Sequence, residues 1–291
     1  MNNSRSLKEC FLQNKPIFSV EFFPPKDEPG GERMLKTAAQ LEPHQPDFVS
    51  ITYGAGGGTR ATTLRYAKLL QQEHGFEVMP HLTCVGHTRD ELLEILEEFA
   101  VAGFRNVMAL RGDPPKGESS FKAVPGGLSY GSDLVSLIRD NFPDFGIGVG
   151  GYPEKHPEAE SAEIDLQNLK IKVDAGADFI TTQLFFNNSV YHDFVERCRN
   201  AGIEIPILPG LLPVLSIGQV RRFCAMCDAG LPAELEHNLE NSADEEQPVV
   251  GADWALGQIK NLLEKGAPGY HLYALNKSQS TLQILEGLAS K

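Results

Sequence analysis

A (β/α)8 barrel is the fold this sequence predicts, and three observations predict it. Eight short apolar runs alternate with eight longer segments of helical period. The runs are rich in Val, Ile and Phe on both faces, as in parallel strands covered by helices. Eight units share 291 residues, about 36 each, close to the ~250-residue scale of such barrels with insertions. A doubly wound open sheet is the alternative, but eight strand–helix alternations favour closure.

Taken in order, IFSVEFF (17–23) reads as the first strand, stopped by two prolines and followed by a helical pattern at Glu32–Leu41. FVSIT (48–52) precedes a helix over Thr59–Glu73, and EVMPHL (77–82) precedes Asp90–Ala102. NVMAL (106–110) leads to Leu134–Asn141, and GIGVG (146–150) leads to Glu158–Ala175. DFITTQLF (178–185) is followed by Ser189–Ala201, and IPILPG (205–210) by Ile217–Cys227. Trp254–Leu263 is an additional helix before the last strand, YHLYAL (270–275), and Ser278–Leu288 completes the pattern. The expectation is one barrel domain over 1–291 with an extra helix near the C-terminus. No internal repeat or low-complexity tract interrupts it. The least ordered segments are expected at Pro114–Gly127 and Leu231–Val250, both long connections after barrel strands.

Composition sets further bounds. The chain is 41% hydrophobic and 22% charged, which fits a folded globular protein and excludes a disordered or collagen-like one. At this length, folding buries roughly 75% of the unfolded surface, so no disulfide or metal is needed. The net charge of −13 argues against nucleic acid or an anionic membrane as partner. That acidity is local: Asp228–Ile259 holds eight acids and no Lys or Arg, and the rest of the chain carries −5. MNNSRSLKECF has no apolar signal region, and no stretch approaches the ~18 apolar residues of a membrane span. Five cysteines, an odd and sparse number, suit a reducing compartment. A soluble cytoplasmic protein is expected.

In such a barrel, function sits at the C-terminal strand ends. That rule selects Glu21, Thr52, His81, Arg111 with Asp113, Tyr152 with His156, Gln183, and the Asn276–Lys277 pair. Glu21 interrupts an apolar strand, and a desolvated carboxyl suits general-acid work. A structural ion pair or an outward edge position is the other reading. In ALRGDPP, Arg111 can hold a phosphate while Asp113 accepts from a ring N–H. An Arg–Asp pair at a loop entrance is the plainer account. Gly150 and Gly151 allow close backbone approach beside Tyr152 and His156, whereas Lys172 alone is only a surface lysine. GAGGGTR (54–60) lacks a P-loop ending and gives no dinucleotide fingerprint, so a loop is the better reading. Cys224-Ala-Met-Cys227 lies within a helix with no second ligand pair, and no metal site is expected.

At these residues the sequence resembles methylenetetrahydrofolate reductase of the bacterial flavoprotein type. The likeness runs through VEFFPPK (20–26), DFVSITYGAGG (47–57), PHLTC (80–84), ALRGDPP (109–115), YPEKHPEA (152–159), DLQNLKIKVDAGA (165–177), TQLFF (182–186), PGLLP (209–213) and LYALNK (272–277). The resemblance implies the barrel independently. It further implies that FAD takes a hydride from NAD(P)H and passes it to 5,10-methylenetetrahydrofolate, giving 5-methyltetrahydrofolate for methionine synthesis. One mouth serving two substrates in turn implies ping-pong kinetics.

By matching motif, Glu21 is the general acid and Asp113 binds the pterin beside the flavin. Thr52, Gln183, Gln219, Phe223 and Lys277 are implied substrate contacts. Tyr53, His81, Arg111, Gly112, Asp113, Tyr130, Gly131, Tyr152, His156, Asp165, Asn168 and Lys172 are implied FAD contacts. Ile171 and Lys277 depart from the pattern, which often carries Arg at both places; Lys keeps the charge but loses the fork. The Gly150–Gly151 pair replaces bulkier small residues. The resemblance covers the catalytic barrel alone, so control by an adenosylated metabolite is not expected, and a homo-oligomer is. Other readings are a different flavin-dependent barrel, of the proline dehydrogenase kind, or a non-catalytic binding barrel.

Overall fold

The computed structural model describes residues 6–13, 15–53, 60–114, 117–118 and 120–290. Its strands are β1 (Ile17–Phe22), β2 (Phe48–Ile51), β3 (Val78–Thr83), β4 (Asn106–Leu110), β5 (Gly146–Gly151), β6 (Phe179–Thr182), β7 (Ile207–Leu208), β8 (Gly210–Leu211) and β9 (Gly269–Tyr273). All pair in parallel, in the order β7-β6-β5-β4-β3-β2-β1-β9-β8. The helices are α1 (Leu7–Cys10), α2 (Glu28–Leu41), α3 (Arg60–His74), α4 (Arg89–Val101), α5 (Gly131–Asn141) and α6 (Ala162–Asp174). They continue as α7 (Asn188–Asn200), α8 (Ile217–Cys227), α9 (Ala233–Glu240), α10 (Gln247–Glu264) and α11 (Gln279–Ala289). This is the (β/α)8 barrel the alternation predicts.

The predicted seventh strand is split in two. β7 pairs with β6 while β8 pairs with β9, so one bent stave closes the ring. Pro209 makes the break, because it has no N–H for a ladder bond. Its carbonyl still accepts from His271 N at 2.9 Å, and Gly210 N donates to Thr182 Oγ1 at 2.9 Å. A Cβ at Gly210 would lie 2.3 Å from the Thr182 carbonyl oxygen, so only glycine fits the seam.

Period-2 alternation sorts side chains to the two faces of the staves. Phe18, Val20, Phe22, Val49, Ile51, Val107 and Ile147 join the outer core beneath the helices. Ile17, Phe48, Met79, Met108, Phe179 and Leu208 fill the barrel floor, sealed from below by Leu7 and Cys10 of α1. By the same parity Ser19 and Glu21 point inward, one and two layers above Ile17. The floor is dry and the mouth is polar.

Two expectations need correction. Leu231–Val250 is not a loose connection: α9 and the first turn of α10 occupy most of it. Leu235 and Leu239 of α9 are buried in a third apolar cluster with Leu212, Val214 and Val220. The region therefore holds two extra helices rather than one. The helix expected from Glu158 starts at Ala162, where the Ser161 hydroxyl caps Ile164 N. Between Arg111 and Tyr130 the described residues form neither helix nor strand apart from one bridge, Thr88 with Gly127, as expected for that loop. Of GAGGGTR, residues 54–59 lie outside the described residues.

Candidate functional site

The centre of the mouth is built by register. β1 sets Glu21 beside Ser50 of β2 and Tyr273 of β9, and Ser19 beside His271. Glu21 is buried, with Ser50 Oγ 3.5 Å, His81 Nε2 3.4 Å and His271 Nε2 3.7 Å from its Oε2. It is therefore neither an outward edge residue nor half of an ordinary Lys or Arg ion pair. Burial pushes the His81 imidazole down from its ordinary value, opposed by the Glu21 charge. Burial likewise raises the Tyr273 phenol, whose hydroxyl donates to the Thr182 carbonyl at 2.5 Å.

Around this centre the β4 end carries Arg111, Gly112 and Asp113. Gly112 has φ 89°, the left-handed region that favours glycine, and turns the chain sharply outward. Arg111 does not pair with Asp113. Its guanidinium forks onto Glu158 at 2.7 and 2.9 Å and lies 5.1 Å from the Phe121 ring centre. Asp113 is exposed, and its charge is felt by Arg111, Tyr152 and Cys227. Cys224 is buried and Cys227 half-buried on α8, so the CxxC pair belongs to a helix face, and burial with the Asp113 charge pushes the Cys227 thiol up.

The β5 end holds Tyr152 and His156, whose rings meet edge-on at 4.5 Å. His156 N donates to Asp165 Oδ2 at 3.0 Å, and His156 Nδ1 accepts from Glu158 N. Lys172 is not a surface lysine. It is half-buried, its Nζ donates to the Gly150 carbonyl at 2.6 Å, and burial lowers its pKa to about 8 against the pull of Asp165. A Cβ at Gly131, the first residue of α5, would stand 3.4 Å from Arg111 N and 3.8 Å from the Lys172 chain. Arg111, Gly131 and Lys172 are thus neighbours. Tyr130 is exposed just before them, and Asn168 is exposed on α6.

The remaining implied contacts sit on the rim. Tyr53 is buried against His87, hydroxyl to Nε2 at 3.0 Å, and burial raises its pKa to about 12. Thr52 accepts from Thr63 Oγ1 through its carbonyl. Gln183 Oε1 accepts from Leu184 N at 2.8 Å, and Gln219 Oε1 accepts from Leu215 N at 2.7 Å, holding the turn into α8. Phe223 packs on the α8–α9 cluster. Lys277 is exposed beyond Leu275 and Asn276, both left-handed at φ 52° and 57°. Asn276 ties this exit to β1 by donating to the Phe23 carbonyl and accepting from Phe23 N, both at 2.8 Å.

Sequence reasoning missed Ser19, Ser50, His271, His87 and Glu158. Ser19 and His271 share the inward parity of Glu21 and Tyr273, and that signal was available. Glu158 had none, since its partner lies 47 residues away. Among the described residues no three His, Cys, Asp or Glu gather to hold a metal, and no helix is long and apolar enough to cross a membrane.

Fold and site together define a (β/α)8 barrel whose mouth centres on a buried carboxyl, with amide, phenol and cationic groups around it. The chain belongs to the methylenetetrahydrofolate reductase family, whose profile matches residues 6–289. It is 39% identical over 287 residues to the 5,10-methylenetetrahydrofolate reductase of Escherichia coli, covering 98% of this chain and 94% of that one. It is 40% identical over 294 residues to methylenetetrahydrofolate reductase (NADH) 1 of Arabidopsis thaliana, covering 97% of this chain but 50% of the plant protein. The chain therefore spans about half the length of the plant relatives it matches. A solved protein from Clostridium thermocellum that binds two copies of 5-methyl-5,6,7,8-tetrahydrofolic acid shares the fold. Its TM-score is 0.65 at 19% identity, with 97% of each chain covered.

Proposed function

We propose that this protein reduces 5,10-methylenetetrahydrofolate to 5-methyltetrahydrofolate with NAD(P)H and FAD, providing a methyl group for methionine synthesis. The observation that carries the reading is the buried Glu21 carboxyl at the centre of the mouth, in a chain of this family. The neighbouring wall fits a flat cofactor. A Cβ at Gly150 would meet only Leu110 Cδ2, at 3.6 Å, so there is room on the inner face of β5. The Lys172 side chain and the Arg111 backbone N reach the start of α5, where a pyrophosphate finds charge and helix N–H groups, while the Arg111 guanidinium rests on Glu158. Arg111 must exchange Glu158 for the phosphate.

Bound FAD supplies the relay of a hydride from the nicotinamide to the folate. This chain's residues do the rest. A bridging carbon accepts hydride well only when a neighbouring nitrogen carries positive charge. Glu21 delivers the proton that opens the bridge to that iminium. Asp113 and Gln183 orient the pterin, Phe223 covers it or the nicotinamide in turn, and Thr52, Gln219 and Lys277 complete the substrate contacts. Tyr53, His81, Tyr130, Tyr152, His156, Asp165 and Asn168 line the cofactor.

The test is direct. Protein mixed with FAD is expected to turn yellow, and initial rates to give parallel double-reciprocal lines for NAD(P)H and folate. A protein that stays colourless with added FAD sinks the reading, and intersecting lines sink the alternation of substrates.

Lys172 adds a pH signature. Its ammonium loses charge near pH 8 in the ligand-free fold, while a bound pyrophosphate favours the charged form. FAD affinity, followed by flavin fluorescence, is therefore expected to weaken as pH rises above about 8, by up to ~tenfold per unit. Lys172→Met should bind about tenfold more weakly at pH 7 and lose this slope; an unchanged slope in that variant removes Lys172 from the site. The ligand-free fold behaves oppositely. The folded value lies below the unfolded one, so the charge-burial cost is full below pH 8 and fades toward 10.5.

A further inference from the structure

We propose that His271, oriented by Ser19, is a positioning residue whose Nε2 stands 3.7 Å from the Glu21 carboxyl, closes that gap once the carboxyl is charged, and thereby eases release of its proton. His271 Nδ1 and Ser19 Oγ lie 2.8 Å apart, both fully buried. A serine O–H donating to Nδ1 leaves the ring proton on Nε2, the atom 3.7 Å from Glu21 Oε2. The ring cannot swing away. It stacks on Phe48 at 6.2 Å with an 18° interplanar angle and meets Tyr273 edge-on at 5.0 Å.

The groups facing Glu21 are Ser19 on its own strand, Ser50 from β2, His81 from β3, and His271 with Tyr273 from β9. Among the described residues none of these is a lysine or arginine, so the carboxylate formed on proton donation is met by imidazole and hydroxyl groups. In such a dry setting a hydrogen bond to the charged form weighs heavily. When the carboxyl gives its proton to a folate nitrogen, the O–H bond breaks, the pair stays on Oε2, and His271, with Ser19 donating to its Nδ1, turns an Nε2–H toward that oxygen from 3.7 Å away. No other proton moves.

The positioning stands on the geometry alone; its catalytic consequence rests on the function proposed above. The ligand-free protein labelled with 13C-glutamate is titrated by NMR, taking the carboxyl resonance lost in Glu21→Gln as that of Glu21. His271→Phe is expected to raise its titration midpoint by about one pH unit, a ~tenfold gain in proton affinity. His271→Gln, which restores an N–H, should return it to within about 0.3 unit. Ser19→Ala keeps the ring but frees its tautomer, so it should also raise the midpoint, and it decides the matter if His271→Phe does not fold. An unmoved midpoint in both His271→Phe and Ser19→Ala overturns the proposal. In flavin-loaded protein the high-pH fall of folate reduction should move by the same amount. A moved titration with an unmoved rate profile supports the positioning and counts against Glu21 as the acid.

Discussion

Glu21→Gln is expected to slow folate reduction by about 10²–10⁴-fold, the range that a positioned general acid contributes, while NADH still reduces the flavin at nearly the native rate. The two half-reactions separate because only one of them needs a proton on a folate nitrogen. The amide keeps the size of the carboxyl and an oxygen that can accept from Ser50, so the centre of the mouth stays packed. Stopped-flow absorbance of the flavin reads both halves on one sample. Equal slowing of both halves points to a disturbed cofactor site. Slowing of neither half means that Glu21 is not the acid. A non-catalytic barrel tolerates the substitution outright.

A large stability effect is expected at Gly251, inside α10. Alanine in a helix is favoured over glycine by about 1 kcal/mol on propensity alone, which predicts a gain. Packing reverses the sign. A Cβ at Gly251 would lie 2.0 Å from the Val214 carbonyl oxygen and 2.7 Å from its carbon, and backbone cannot yield as a side-chain tip can. Gly251→Ala should therefore cost about 2–3 kcal/mol net, the scale of overpacking in a close-packed interior, and lower Tm by several degrees. Gly257, six residues on, is exposed with nothing within 4 Å of its would-be Cβ. Gly257→Ala should gain about 0.5–1 kcal/mol from the same propensity. Opposite shifts of Tm from one substitution type in one helix locate the contact; a rise in both would show that α10 is not seated on Val214.

The barrel was legible because its signal is periodic and repeated. Strand boundaries agree to within one to three residues, and Ile217–Cys227 matches α8 at both ends. α9 escaped notice because AELEHNLE offers only Leu235 and Leu239 as apolar positions among three acids, a pattern shared with surface loops. The split at Pro209 was visible as a residue but not as a consequence, since its meaning depends on which stave stands on each side. The site divided along the same line. Glu21 announced itself by interrupting an apolar run, whereas the Arg111–Glu158 fork and the half-burial of Lys172 arise from segments that meet only in three dimensions. His271 lay between these cases. Its parity was readable, but its place beside Ser19 required knowing that the last strand pairs with the first.

That pairing of β1 with β9 has a consequence for the order in which the molecule is made. Ser19 and Glu21 emerge from the ribosome early, and the strand that supplies His271 and Tyr273 emerges some 250 residues later, which at ~5–20 residues per second is a delay of roughly ten to fifty seconds. Throughout that interval the acid-bearing strand has one neighbour instead of two, and an inward carboxyl beside an open edge is still in water. The surroundings of Glu21 are therefore complete only once the final stave docks. A chain interrupted before residue 269 retains eight of the nine described strands yet leaves Glu21 without His271 and Tyr273 beside it.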